Sequence, residues 1–76
     1  MYDYSKLIGR IKEKGYTQEA LAEKIDITGT TLNKKLHNYS SFSQPEMIGI
    51  ANALEFSLAD IPSYFFVKAL VKNTSD

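Results

Sequence analysis

Few residues in this chain are equipped for covalent or acid–base chemistry. His37 is the only histidine, and there is no cysteine. Serines are plentiful, but no base, nucleophile and acid stand together in a pattern that would activate one. One histidine without thiolates does not make a metal site. An enzyme is therefore the least expected class, and no metal or cofactor is expected. The chemistry that remains is charge and hydrogen bonding. Residues 1–40 carry seven bases (Lys6, Arg10, Lys12, Lys14, Lys24, Lys34, Lys35) against five acids (Asp3, Glu13, Glu19, Glu23, Asp26). Residues 41–76 carry two bases (Lys68, Lys72) against four acids (Glu46, Glu55, Asp60, Asp76). The first half has a surplus of two positive charges, the second a surplus of two negative ones, and the net charge is zero. A mildly basic face on the first half is compatible with a polyanion. Such a small surplus implies weak non-specific nucleic-acid binding, because counterion release supplies most of that affinity.

The elements that would position these groups are helical. Tyr4, Leu7, Ile8 and Ile11 recur at helical spacing, with Asp3 as a cap and Gly15 as the left-handed terminator. Thr17 opens a second helix carrying Leu21, Ala22 and Ile25. Asp26 breaks it, and Thr28 opens a third carrying Leu32 and Leu36. Only three residues separate Ile25 from Gly29, so the two short helices must cross at a large angle, as in a helix-turn-helix. Counting about 100° per residue from Leu32 and Leu36, Thr30, Lys34 and His37 lie farthest from the buried stripe. Residues 38–42 read as a loop, with Tyr39 and Phe42 expected as core anchors. Ser43 and Glu46 form a capping box with Pro45 in the first turn. The fourth helix points Met47, Ile48, Ile50, Ala51 and Leu54 inward. Ser57 and Asp60 predict a second capping box over a short turn with Leu58 and Ile61, which Pro62 ends. The pattern of Ser63–Lys72 fits helix and strand equally well. Its apolar residues, Tyr64, Phe65, Phe66, Val67, Leu70 and Val71, either close a small core or form a dimer or partner surface.

Length and composition fit one all-α domain of four to five helices, residues 1–72, with 73–76 as a frayed tail. A chain this short buries only about 60% of its unfolded surface, so support from a second subunit is expected. No apolar run approaches the roughly 20 residues of a membrane span. Asp3, Ser5 and Lys6 interrupt any leader-like stretch. A cytoplasmic protein without a membrane partner is expected.

The segment TQEALAEKIDITGTTLNKKLHN, residues 17–38, resembles the Cro/repressor (Xre-like) helix-turn-helix of temperate bacteriophage regulators. Thr17, Gln18, Glu19, Leu21, Ala22 and Thr28 match the family's usual string. The flanks YDYSKLIGRIKEKG and LADIPSYFF resemble a subgroup of short phage proteins from Gram-positive hosts. The resemblance implies a compact lambda-repressor-like domain that binds double-stranded operator DNA, commonly as a homodimer, with the third helix in the major groove. Position by position, it implies base contacts from Gly29, Thr30 and Lys34, with Asn33 nearby and Thr28 opening the helix. It implies phosphate contacts from Gln18, aided by the N–H groups at the start of its helix, and from Lys35, Asn38 and Arg10. The dimer or partner surface would be Tyr64, Phe65, Phe66, Val67 and Leu70.

Three features depart from the family pattern. Asp26 stands where the turn glycine belongs, and it tolerates the left-handed conformation at some strain. Gly29 offers only backbone at a reading position. The apolar residue expected at position 35 is displaced to Leu36, which turns the buried stripe by about 50°. The leading expectation is a repressor- or Cro-like transcription regulator. The alternative is an interaction protein, such as an antirepressor that uses the same scaffold to grip a phage repressor. Zero net charge, Gly29 and the aromatic tail favour that alternative.

Overall fold

The computed structural model describes residues 1–69. They form α1 (Ser5–Glu13), α2 (Gln18–Lys24), α3 (Gly29–Leu36), α4 (Gln44–Leu54), a 3₁₀ turn (Leu58–Asp60) and α5 (Ile61–Phe65). Among these residues there is no strand, only an isolated antiparallel bridge between Tyr2 and Lys68. The fold is all-α, as the spacing predicts. Leu70 and the tail 73–76 lie outside the described residues.

Each of the first four helices stops the same way. Gly15, Asp26, Asn38 and Glu55 adopt φ of 80°, 69°, 66° and 61°, the left-handed region. Behind each, two backbone N–H groups turn back onto the last turn. Those of Gly15 and Tyr16 donate to the carbonyls of Lys12 and Ile11. Those of Asp26 and Ile27 donate to Glu23 and Ala22, and those of Asn38 and Tyr39 to Lys35 and Lys34. Carbonyls that would otherwise end unpaired are thereby satisfied. The starts are as regular. Thr17, Thr28 and Ser43 accept from the N–H three residues on, and Ser43–Glu46 closes the capping box. Asp3 accepts from both the N–H and the hydroxyl of Ser5, so it caps α1 from one residue outside.

The core draws on every helix: Tyr4, Leu7 and Ile11, then Leu21 and Ala22, Leu32 and Leu36, Ile50 and Leu54, and Phe65. Burial of these apolar side chains is the dominant favourable contribution to folding. Phe42 anchors the loop against Tyr4 and Phe65 with edge-on rings 5.4 and 5.1 Å away. Its expected companion Tyr39 is 81% exposed and is not an anchor.

The second half departs from the sequence reading at four places. Ile48 points outward, 41% exposed, because it shares a helix face with the polar Gln44, Asn52 and Glu55. The second capping box does not form. The Ser57 hydroxyl bonds the Asp60 carboxylate rather than a backbone N–H, over a 3₁₀ turn. Pro62 starts α5 instead of ending the turn, which its missing N–H permits in a first turn. The tail is both helix and extended chain. After Phe65 it runs alongside residues 1–3, where Asp3 N–H donates to Val67 and Ala69 N–H to Met1.

Glu46 ties several of these elements. Its carboxylate accepts the Ser43 N–H at 2.8 Å and meets the Lys35 ammonium at 3.2 Å. Burial pushes its pKa up, but the Ser43 N–H and Lys35 outweigh this and hold it below the ordinary glutamate value. A depressed carboxylate pKa contributes stability that is complete above the unfolded value, near ~4.3, and disappears as pH falls through the folded value. Glu46→Ala is expected to lower unfolding free energy by about 1–2 kcal/mol at pH 7, the usual range for a lost cap. In urea titrations the gap from the parent protein should close as pH drops below 4.3. A gap of constant size would assign the loss to packing alone.

Candidate functional site

The α2–turn–α3 pair is the unit that the sequence analysis marked as functional. Its connection is held by Asp26 in the left-handed conformation, with Ile27 half-buried beneath and Thr28 opening α3. Ala22 is fully packed between the helices. Gly29 permits the close approach: a Cβ there would lie 3.2 Å from Cγ of Glu19. Gly29 is thus a contact point between the two helices, which explains a residue without a side chain at that place.

The structure separates the residues singled out from sequence into two sets. Thr30, Lys34 and His37 are exposed along the open side of α3. Gln18 and Asn33 come together, the Asn33 amide donating to Gln18 Oε1 at 3.2 Å, and so link the start of α2 to the middle of α3.

The second set is engaged in holding the fold. Thr28 Oγ1 accepts the Thr31 N–H at 3.1 Å and donates to the Thr31 hydroxyl. Lys35 is turned inward and only 12% exposed, its ammonium bound by the Ser41 carbonyl at 2.8 Å and by Glu46. Asn38 exchanges two bonds with the backbone of Tyr2, accepting its N–H at 2.8 Å and donating to its C=O at 3.0 Å. Arg10 donates to the carbonyls of Leu54 and Glu55 and pairs with Glu13, covering the C-terminal end of α4. Lys35, Asn38 and Arg10 are thus each engaged by partners within the protein. The N-terminal amides of α2 are also less available than expected, since Thr17 takes the Ala20 N–H.

This rewrites the electrostatics of the pair. Residues 17–38 hold Lys24, Lys34 and Lys35 against Glu19, Glu23 and Asp26. Lys35 is neutralised by Glu46, whereas Glu19, Glu23 and Asp26 form no ion pair among the described residues. Among the described residues Lys24 and Lys34 stand unpaired alongside Glu19, Glu23 and Asp26, so this pair of helices has no surplus of cations to offer a polyanion. The basic surplus of residues 1–40 is spent inside the molecule, Lys14 on Glu55 at 2.9 Å and Lys35 on Glu46.

The aromatic tail divides as well. Phe65 is 1% exposed at the centre of the core, so it belongs to no interface. Tyr64 is half-buried, stacked on Phe56 at 4.0 Å with the Lys6 ammonium 4.7 Å from its ring. Phe66 and Val67 are exposed. Phe66 belongs to a surface that the sequence reading missed, a groove of about 380 Å³ between α4 and the 3₁₀ turn–α5 segment. Met47, Ile48, Leu58, Ile61, Pro62 and Phe66 line it together with the polar Gln44. The signal was present in α4, where Ile48 falls on the polar face at helical spacing.

A model of the family described as "Protein of unknown function (DUF739)" matches residues 1–68. The chain belongs to this family. Among solved structures, it is similar to the modulator of repression (MOR) of the temperate bacteriophage TP901-1 from Lactococcus lactis. The two are 37% identical, the match covers 86% of this chain and 88% of that one, and the TM-score is 0.73. No curated protein matches. The structural relative is thus a phage regulatory protein, and the family match takes in all of α1–α5, including the groove.

Proposed function

We propose that this chain is a modulator of repression, a small phage-type regulator that acts by binding a DNA-binding repressor rather than by reading an operator itself. The similarity to a modulator of repression along nearly the whole length of both chains carries this reading. The charge balance of residues 17–38 supports it, since among the described residues this helix pair has no surplus of unpaired cations for a polyanion. The helix-turn-helix is then a scaffold, and the active property is an interface. No step of this function needs a cofactor or a catalytic residue.

Operator binding is the second reading, favoured by the exposed Thr30 and Lys34 on the open side of α3. Gel-shift experiments separate the two. The purified protein alone is expected not to retard the operator of the repressor encoded alongside it, even at low salt. Added to the repressor–operator complex, it should change the amount of retarded DNA, and Lys34→Ala should leave that effect unaltered. A sequence-preferring shift by this protein alone, abolished by Lys34→Ala, would overturn the modulator reading in favour of direct readout.

A further inference from the structure

We propose that residues 1–3 and 67–69 form a strap that undocks from the helices as one cooperative unit, with Asn38 as its latch, and thereby uncovers an aromatic cavity. The strap is independent of the modulator reading. Both of its segments leave the core at the same place. Burial changes between Asp3 and Tyr4 at one end of the chain and between Phe65 and Phe66 at the other. Residues 1–3 and 66–68 are all exposed, whereas Tyr4 and Phe65 are buried, their rings 6.5 Å apart. The two hinges therefore lie close together. Asp3 caps α1 through Ser5, and the Phe66 N–H donates to the Pro62 carbonyl of α5.

The attachments are few. Inside the strap, the Asp3 N–H donates to Val67 at 2.7 Å and the Ala69 N–H to Met1 at 3.2 Å. Outside it, among the described residues, the backbone of these two segments bonds only to the Asn38 side chain, through Tyr2. Two extended segments joined by two hydrogen bonds have little stability of their own in water. Loss of the Asn38 latch therefore frees both together. Segments with exposed hydrogen bonds and few buried contacts open at lower free energy than the core. What lies beneath is preformed, a cavity of about 360 Å³. Met1, Tyr2 and Phe66 contribute to its wall from the strap and its hinge, and Tyr4, Phe42 and Phe65 from the core. Opening takes Met1 and Tyr2 out of that wall and lays the core rings open to solvent. The latch residue also takes the left-handed turn that ends α3. A contact made at that end of the helix-turn-helix thus sets how often the cavity opens.

The test is native-state hydrogen exchange on the full chain, read by NMR at increasing sub-denaturing urea. The amides of Tyr2, Asp3 and Ala69 should share one opening constant that hardly varies with urea. It should be at least roughly tenfold larger than that of core amides such as Leu32 and Ile50, whose opening rises steeply with urea. Asn38→Gly should raise the shared constant about tenfold beyond its effect on the core amides. A soluble nitroxide should then broaden the ring signals of Phe42 and Phe65 more than in the parent protein. Tyr39→Ala, at an exposed position beside the latch, should change neither. Three unequal constants would mean that the two ends fray separately. Exchange with the urea dependence of Ile50 would mean that the terminal segments open only with the whole fold. Either result overturns the strap, as would an Asn38→Gly variant in which the three amides merely follow the core.

Discussion

Phe65→Ala is expected to unfold most of the protein at moderate temperature, whereas Phe66→Ala, one residue along, should cost little. Phe65 is 1% exposed and packs its ring edge-on against Phe42 at 5.1 Å and Tyr4 at 6.5 Å. These three rings come from α5, from the loop before α4 and from the residue that starts α1. Truncating a buried phenylalanine typically costs about 3–5 kcal/mol through lost transfer energy and the cavity left behind. A domain of this length has roughly 4–11 kcal/mol of stability in total. The loss also breaks two aromatic pairs worth about 0.5–1.5 kcal/mol each beyond their burial. Phe66 keeps half its surface in water, and its aromatic neighbour is Tyr2, edge-on at 6.0 Å. Its truncation should cost about 1 kcal/mol or less. Denaturant unfolding followed by circular dichroism reads both variants. Equal losses would mean that the two rings exchange roles in solution, which would also remove Phe66 from the groove wall.

That contrast between neighbours shows where sequence reasoning stops. Spacing and local chemistry place α1 to α4 correctly, because the decisive residues lie within one turn of what they control. Thr17 binds Ala20, Thr28 binds Thr31, and Ser43 binds Glu46. Asp26 is legible for the same reason, as a short polar residue able to take the left-handed turn. Asn38 and Glu55 take that conformation too, but what occupies them lies far along the chain, Tyr2 for Asn38 and Lys14 for Glu55. The tail divides into helix and extended chain because of its pairing with residues 1–3, which no local pattern encodes. Part of the candidate site is hidden from sequence for the same reason. The family resemblance implies phosphate contacts for Lys35, Arg10 and Asn38. Their partners Glu46, Leu54 and Tyr2 appear only once the chain is folded. Net surface charge is therefore a tertiary property here, and the sequence's basic first half overstates it.

Asn38 offers the sharper test of that conclusion, since it was assigned to DNA and is held by the protein. Residue 2 directs its N–H and C=O away from the Val67–Ala69 segment, and the Asn38 amide meets both, as a neighbouring strand would. Its backbone at the same time sits at φ 66°, ending α3. Asn38→Ala removes both bonds and forces a Cβ residue without a local hydrogen bond into the left-handed region. With about 0.5–1.5 kcal/mol per net hydrogen bond and about 1 kcal/mol for the conformation, the expected loss is roughly 2–4 kcal/mol. Asn38→Gly separates the terms. It accepts the backbone conformation freely and loses only the two bonds, so it should be less damaging than Ala by about 1 kcal/mol. Amide exchange should show where the damage lies. In both variants the amides of Asp3 and Ala69, which bridge residues 1–3 to the tail, should exchange faster, while those inside α4 follow global stability alone. If Asn38→Gly were as stable as the parent and left those two amides protected, the clamp would contribute nothing. Asn38 would then again be free for an external ligand, and the case for treating the helix-turn-helix as a scaffold would lose one of its three inward-turned residues.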